Sequence, residues 1–377
     1  MQLLPLALVA ISQQDLTLPG GVERAPRDLT AQFDVAPNVK VQEFALTPLF
    51  YNPAAIDVDE KSRVWVAEAV NYRQWNGRNP GKHFDAGDRV VIVSDEDGDG
   101  IAETSKVFVQ DPDLIAPLGI AVIGNKVYVS CSPHLLVYTD KDGDDRPDSK
   151  EVLYTGFGGR DHDHGLHSVV AGPDGGLWFA VGNAGPHVVT AKDGWTLRSG
   201  SLYRDGGPKA ADNQPGLRSS DGQVWTGGLV LRGDAQGRSL RVMAHNFRNN
   251  YEVALDSWGD FYQSDNDDDG NQGCRTLWCM PGGNHGYFSA DGARYWNADK
   301  RPGQSTARAH WHQDDPGVAP AGTITGAGGP TGVCVYESRF LSPTCLERSC
   351  ARMLVAIVSG HKSPAWTRAG SSSTQAS

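Results

Sequence analysis

Residues 161–176 read DHDHGLHSVVAGPDGG, and their first seven positions hold three histidines and two aspartates. Three chemistries suit such a stretch. An imidazole titrates near neutrality and can take a proton from a hydroxyl group, with His162, His164 and His167 the candidates. His162 and His164 would share one face of a strand, so with Asp161 they could form a zinc set. The third reading is a polar loop whose groups bond one another, with His167 pointing into a sheet.

Two further stretches carry comparable groups. AHNFRNN (244–250) places Arg248 beside Asn249. A guanidinium fork of this kind suits an anionic partner. SDNDDDGNQG supplies Asp265, Asp267 and Asp269, and GGNHGYF follows with Asn284. Two other acidic loops set oxygens at alternate positions: Asp95, Asp97 and Asp99 before Gly100 and Glu103, and Asp140, Asp142 and Asp144 before Asp148 and Glu151. That is the ligand spacing of a calcium loop, although Asp145 stands where the sixth-position glycine is usual. Calcium there would be structural. The alternative is a solvated acidic turn.

The elements that must position these residues are strands. One phrase recurs: NPAAIDVDEKSRVWVAE (52–68), APLGIAVIGNKVYVS (116–130), HGLHSVVAGPDGGLWFAVG (164–182), FRNNYEVALDSWGDFYQSD (247–265) and the start of GPTGVCVYESRFLSP (329–343). Each alternates apolar and polar residues, the pattern of a strand with one buried face. A second strand pair follows most copies, giving four strands per unit. The expectation is an all-β fold, a β-propeller of about five to six four-stranded blades, its ring poorly completed towards the C-terminus. A β-sandwich with accidentally similar strands is the alternative. No amphipathic pattern predicts a helix longer than a turn or two.

Composition agrees. The chain has 377 residues, 45 of them glycine and 22 proline, as many short strands and turns require. A net charge of −11 argues against a nucleic-acid partner. Leu3–Ile11 is a short apolar run before Ser12 and two glutamines, so residues 1–14 have the outline of an export signal, with an apolar N-terminal strand as the other reading. No later stretch is long enough to span a bilayer. The propeller is expected over 40–356, with an irregular tail over 357–377. The six cysteines form no C-x-x-C-H, hence no haem attachment signal; Cys274 and Cys279 could bridge or remain buried thiols.

The spacing from His164 to Gly-Pro-Asp-Gly, the Phe-Arg-Asn of 247–249 and Gly-Gly-Asn-x-Gly-Tyr resemble the soluble PQQ-dependent glucose and aldose dehydrogenases. HNFRNNYEVALDSWGDFYQSDNDDDGN, HWHQDDPGV and GAGGPTGVCVYE are similar to the sorbosone-dehydrogenase-like proteins and the propeller domains termed membrane-bound dehydrogenases. The resemblance runs from about residue 45 to 356 and is most specific over 160–345. It implies PQQ-dependent oxidation of a sugar or alcohol, with calcium, outside the cytoplasm (in the periplasm or at the cell envelope). Electrons would pass to an external acceptor such as a cytochrome c. It assigns His164 as the base, with Asp163 before it, Arg248 and Asn249 as quinone contacts, and Asn284 in the Gly-Gly-Asn loop. The acidic run at Asp267–Asp268 departs from the family, which has a Gly-Pro there; extra carboxylates repel a tricarboxylate unless a cation intervenes. Two other functions remain open: a calcium-dependent, lactonase-like hydrolase, and a propeller that binds a sugar or protein without catalysis.

Overall fold

The structure, a computed structural model, describes residues 16–17, 28–32, 41–203, 209–266, 273–326, 329–330, 332–335, 337 and 353–354. Four antiparallel sheets follow one another along the chain. Blade 1 is Pro53–Val58, Val64–Glu68, Arg89–Ser94 and Thr104–Gln110. Blade 2 is Gly119–Ile123, Lys126–Cys131, His134–Thr139 and Ser149–Thr155. Blade 3 is Leu166–Ala171, Leu177–Val181, Gly228–Gly233 and Arg241–Phe247. Blade 4 is Val253–Leu255, Phe261–Asp265, Cys274–Cys279 and Thr323–Gly326. The first strands of successive blades are neighbours in space, so they line a common axis. The molecule is a β-propeller.

The first four repeated phrases are the inner hairpins of blades 1 to 4. In three of them, an aspartate in the turn has a fixed task. Asp59 accepts from the backbone N–H of Lys61 and Arg63 and from Trp65 Nε1, all at 2.9 Å. Asp174 accepts from Gly176 N–H at 3.0 Å, and Asp256 from Trp258 and Asp260 N–H at 3.0 and 2.9 Å. The carboxylate satisfies turn N–H groups that no ladder reaches.

Apolar clusters lie between blades. Trp65, Ile92 and Phe108 of blade 1 pack on Ile120, Val129 and Leu136 of blade 2. Phe179, Leu229 and Leu231 of blade 3 pack on Tyr128, Leu135 and Val137 of blade 2. Trp178, Val230 and Phe247 then meet Val253, Phe261 and Leu277 of blade 4. Because strands are two-sided, blades 2 and 3 each share their core with both neighbours.

Sequence expected five to six blades; the described residues contain four. A fifth begins at Cys334–Val335, which packs beside the inner strand of blade 4 and pairs with Met353–Leu354. The rest of the ring closure, the export run and the tail lie outside the described residues. Among the described residues the α-helices are short, Trp296–Asp299 and Thr306–His310, and no helix is long and apolar enough to cross a membrane. Cys274 and Cys279 do not bridge to each other. They sit five residues apart on one strand, so they point to opposite faces and cannot meet.

Antiparallel blades have two distinct ends. The turns joining first to second and third to fourth strands gather at one end. The second-to-third links and the passages between blades gather at the other. His164 lies in a passage between blades 2 and 3, and Arg248 and Asn249 in the passage between blades 3 and 4. The Asp95 and Asp140 loops join third to fourth strands, so they occupy the opposite end.

Candidate active site

The passage 156–165 delivers His164 just before the inner strand of blade 3. Leu166 N–H donates to Ser132 Oγ at 2.7 Å, which fixes where the passage enters the sheet. The link after Val181 then ties the histidine to the next passage. Ala184 N–H donates to the His164 carbonyl at 3.2 Å, and Asn183 N–H to the Arg248 carbonyl at 3.0 Å. Gly182 makes this convergence feasible. A Cβ there would lie 2.7 Å from both Asn249 Oδ1 and the His164 carbonyl oxygen. His164, Arg248 and Asn249 therefore come together at one end of the propeller, as sequence expected.

The His164 ring is buried and held on two sides. Its Nδ1 lies 2.6 Å from Asn183 Oδ1, and it stacks on Tyr203 with centroids 5.0 Å apart and planes 8° from parallel. A carbonyl oxygen can only accept, so Nδ1 carries the proton and Nε2 keeps the lone pair. Burial, then the Arg248 guanidinium, hold the ring well below the ordinary histidine range, while Asp163 opposes them. His164 is thus neutral at neutral pH. Burial alone would raise Asp163, but the His164 and His162 rings and the bonded Arg73 guanidinium lower it to about 2; at neutral pH, where His164 is uncharged, the Arg73 charge holds it ionised.

Arg248 and Asn249 are set by Asp265. Its Oδ1 accepts from Arg248 N–H at 3.2 Å and Asn249 N–H at 3.0 Å. Its Oδ2 accepts from Arg275 Nη2 at 2.8 Å. Both side chains of this ion pair are fully buried. Arg275 in turn lies over the Trp311 ring, 3.6 Å from its centroid. The Arg248 guanidinium donates to Asn266 Oδ1 at 2.9 Å. Asn249 Oδ1 and Asn183 Nδ2 are buried without hydrogen-bond partners. Orphaned amide groups beside a guanidinium and a neutral imidazole are what a polar ligand would satisfy.

Other expected residues take different places. Asn284 Oδ1 accepts from Asn246 Nδ2 at 2.7 Å and Gly286 N–H at 3.0 Å, so its oxygen is engaged in loop packing. Asp265 is engaged by N–H groups and Arg275, and Asp267 and Asp269 lie outside the described residues. The zinc set is overturned. Asp161 accepts from the N–H groups of Arg73 and Gln74, and the His162 and His164 rings stand at 82° with His162 Nδ1 accepting from His164 N–H. His167 is fully buried, with Nδ1 2.6 Å from the Asn250 carbonyl and Nε2 2.8 Å from that of Asp163. It belongs to the sheet.

At the far end, Asp95, Asp97, Asp99 and Glu103 bring carboxylate oxygens together, as do Asp140, Asp142 and Asp148. Asp144 is not in the second group; its carbonyl accepts from Lys106 Nζ. The two loops fold alike. Asp95 accepts from Gly98 and Gly100 N–H, and Asp140 from Gly143 and Asp145 N–H. The sixth position is left-handed in both, φ +88° at Gly100 and +63° at Asp145. Asp145 replaces glycine because its carboxylate pairs with Arg63 and Lys106 of blade 1. That inter-blade contact offsets the backbone strain.

Sequence reasoning missed Asn183, Arg73, Trp75 and Tyr203. Asn183 sits in Gly-Asn-Ala-Gly-Pro at the end of the third copy, where a turn signal was visible but its partner was not. Arg73 and Trp75 come from the second-to-third link of blade 1. Its unusual density of aromatic and basic residues, NYRQWNGR, was the available signal.

Among solved structures, the chain is similar to an oxidoreductase (glucose dehydrogenase) of Thermus thermophilus, at 15% identity over 76% of this chain and 74% of that one, with TM-score 0.45. It is similar to the PQQ-bound aldose sugar dehydrogenase of Streptomyces coelicolor, at 13% identity over 76% and 72%, TM-score 0.46. A carbohydrate-active enzyme of family AA12 from Trichoderma reesei gives 15% identity over 73% and 68%, TM-score 0.43. No curated protein matches the sequence. A family model does match, over residues 25–349, and the chain belongs to that family, the domain of unknown function DUF7133.

Proposed function

We propose that this propeller oxidises a hydroxyl group of a sugar or alcohol with the help of PQQ. The observation that carries the reading is the state of His164: a buried, neutral imidazole with Nδ1 fixed on Asn183, beside the Arg248–Asn249 pair. His164 Nε2 takes the hydroxyl proton. The ionised Asp163 then stabilises the imidazolium that forms, since its charge favours the protonated ring. Arg248 would hold the quinone through its anionic oxygens, and the orphaned Asn183 Nδ2 is a donor free for a carbonyl oxygen, while Asn249 Oδ1 could accept only from a donor group. When bound, PQQ supplies the acceptor for the hydride. The buried Asp265–Arg275 pair cancels its own charge, so it adds no net repulsion towards an anion.

Calcium in this reading has a structural place in the Asp95 and Asp140 loops, at the end away from His164. Leu3–Ile11 supports export, and an external acceptor such as a cytochrome c would collect the electrons. The hydrolase reading needs a cation beside the base; among the described residues the grouped carboxylates lie at the other end. The test is oxidation of aldoses and polyols by purified protein given PQQ, calcium and an artificial electron acceptor. Turnover that requires PQQ supports the proposal. Lactone hydrolysis without quinone, or sugar binding without turnover, would replace it.

A further inference from the structure

Trp75 is held in place by more than its own loop. It lies in a short turn, Gln74–Asn76, flanked by left-handed Arg73 (φ +52°) and Gly77 (φ +73°). The turn belongs to blade 1 but is anchored by the passage between blades 2 and 3. The Asp161 carboxylate accepts from Arg73 and Gln74 N–H, and its carbonyl accepts from Trp75 Nε1 at 3.0 Å. Asp161 is itself left-handed, with φ +53°. The indole is parallel to His162, planes 3° apart and centroids 5.9 Å apart, and His162 meets His164 edge-on at 5.2 Å.

This clamp presents a ring instead of burying it: Trp75 is 59% exposed. A rigid indole open to solvent leaves apolar area in water, which folding ordinarily removes. Trp258 is more exposed, at 88%, but it sits on a first-to-second-strand turn at the end away from His164. Trp75 stacks on His162, has the Arg73 guanidinium 5.7 Å from its ring centroid, and lies one ring away from His164, with the Asp163 carboxylate paired to both Arg73 and His162. A flat apolar face next to charged hydrogen-bonding groups matches a sugar ring, which has apolar C–H faces and a polar rim. A small open-chain alcohol offers no such face.

We propose that Trp75 is a stacking platform for a carbohydrate ring and sets the preference of this site for sugars over small open-chain alcohols, a specificity role that rests on the dehydrogenase reading. Asp161 is then the positioning residue that fixes the platform.

The test uses the full chain with PQQ, calcium and an artificial acceptor, and compares glucose with 1,2-propanediol. Trp75→Ala should raise KM for glucose about 3- to 10-fold with kcat nearly unchanged, as expected for a lost ring-stacking contact. KM for propanediol should not move. Trp75→Phe should restore most of the glucose KM, and Asp161→Ala should reproduce the Trp75→Ala split. Equal shifts for both substrates, or none, would overturn the platform while leaving the dehydrogenase reading intact. If the wild type oxidises neither substrate, that reading fails, and calorimetric glucose titration decides the platform separately. Binding by wild type that Trp75→Ala weakens sustains it; no binding, or equal binding by both proteins, overturns it.

Discussion

His164 and Arg248 are close enough to influence one another, yet the account gives them separable tasks. His164→Ala should lower the rate by roughly 10²–10⁴ while cofactor affinity is largely kept. Arg248→Ala should weaken the anionic cofactor by about 1.5–3 kcal/mol, seen as a raised Kd in titration. Equal rate and affinity losses in both variants would contradict the division. Asn183→Asp tests the orientation of the base. A carboxylate at Nδ1 favours the protonated ring, so the acid limb of the pH–rate profile should move to higher pH. An unmoved limb would remove Asn183 from the account. The sequence made His164, Arg248 and Asn249 legible because each stands in a local phrase of distinctive residue types. Asn183, Arg73 and Trp75 were not legible, because their roles depend on contacts between blades that no local spacing encodes.

Elements were read more fully than contacts. The first four repeated phrases are inner hairpins, since period-2 alternation and a short polar turn are local properties. The acidic loops were read in ligand spacing and only partly in membership. Asp148 joins the Asp140 group while Asp144 does not, because Lys106 of the neighbouring blade draws on the Asp144 carbonyl. These loops join strands at the end away from His164, so calcium should act on stability and leave the base untouched. A chelator should lower Tm, and Asp97→Ala or Asp142→Ala should blunt that sensitivity. A melting curve indifferent to chelator would contradict the calcium assignment. His162 and Asp161 show the limit of spacing arguments. A His-x-His pair predicts a shared face only on a strand, and here the pair precedes the strand, which begins at Leu166.

At the scale of the whole molecule, the site exists because two passages between blades and two second-to-third links meet at one end of the propeller. Its burial also gives the fold a pH signature. Burial holds His187 and His245 down at about 4 in the folded state, and His164 is likewise depressed. Their stabilising contribution is complete above the unfolded histidine pKa of about 6.5 and is lost as pH falls towards the folded values. Asp88 acts in the opposite sense: burial raises it to about 7, so its contribution fades as pH rises through that value. Stability should therefore be greatest near neutrality and fall most steeply between about pH 6.5 and 4, which denaturant melts across pH would show. A maximum below pH 5 would mean that these histidines are not buried as neutral rings. The most direct measurement of the central claim is the absorption spectrum of the purified protein after incubation with PQQ and calcium, followed by desalting. The account predicts a quinone band that survives desalting, bleaches when a sugar is added, and is lost in Arg248→Ala but retained without bleaching in His164→Ala. A desalted wild-type protein with no quinone band would contradict it.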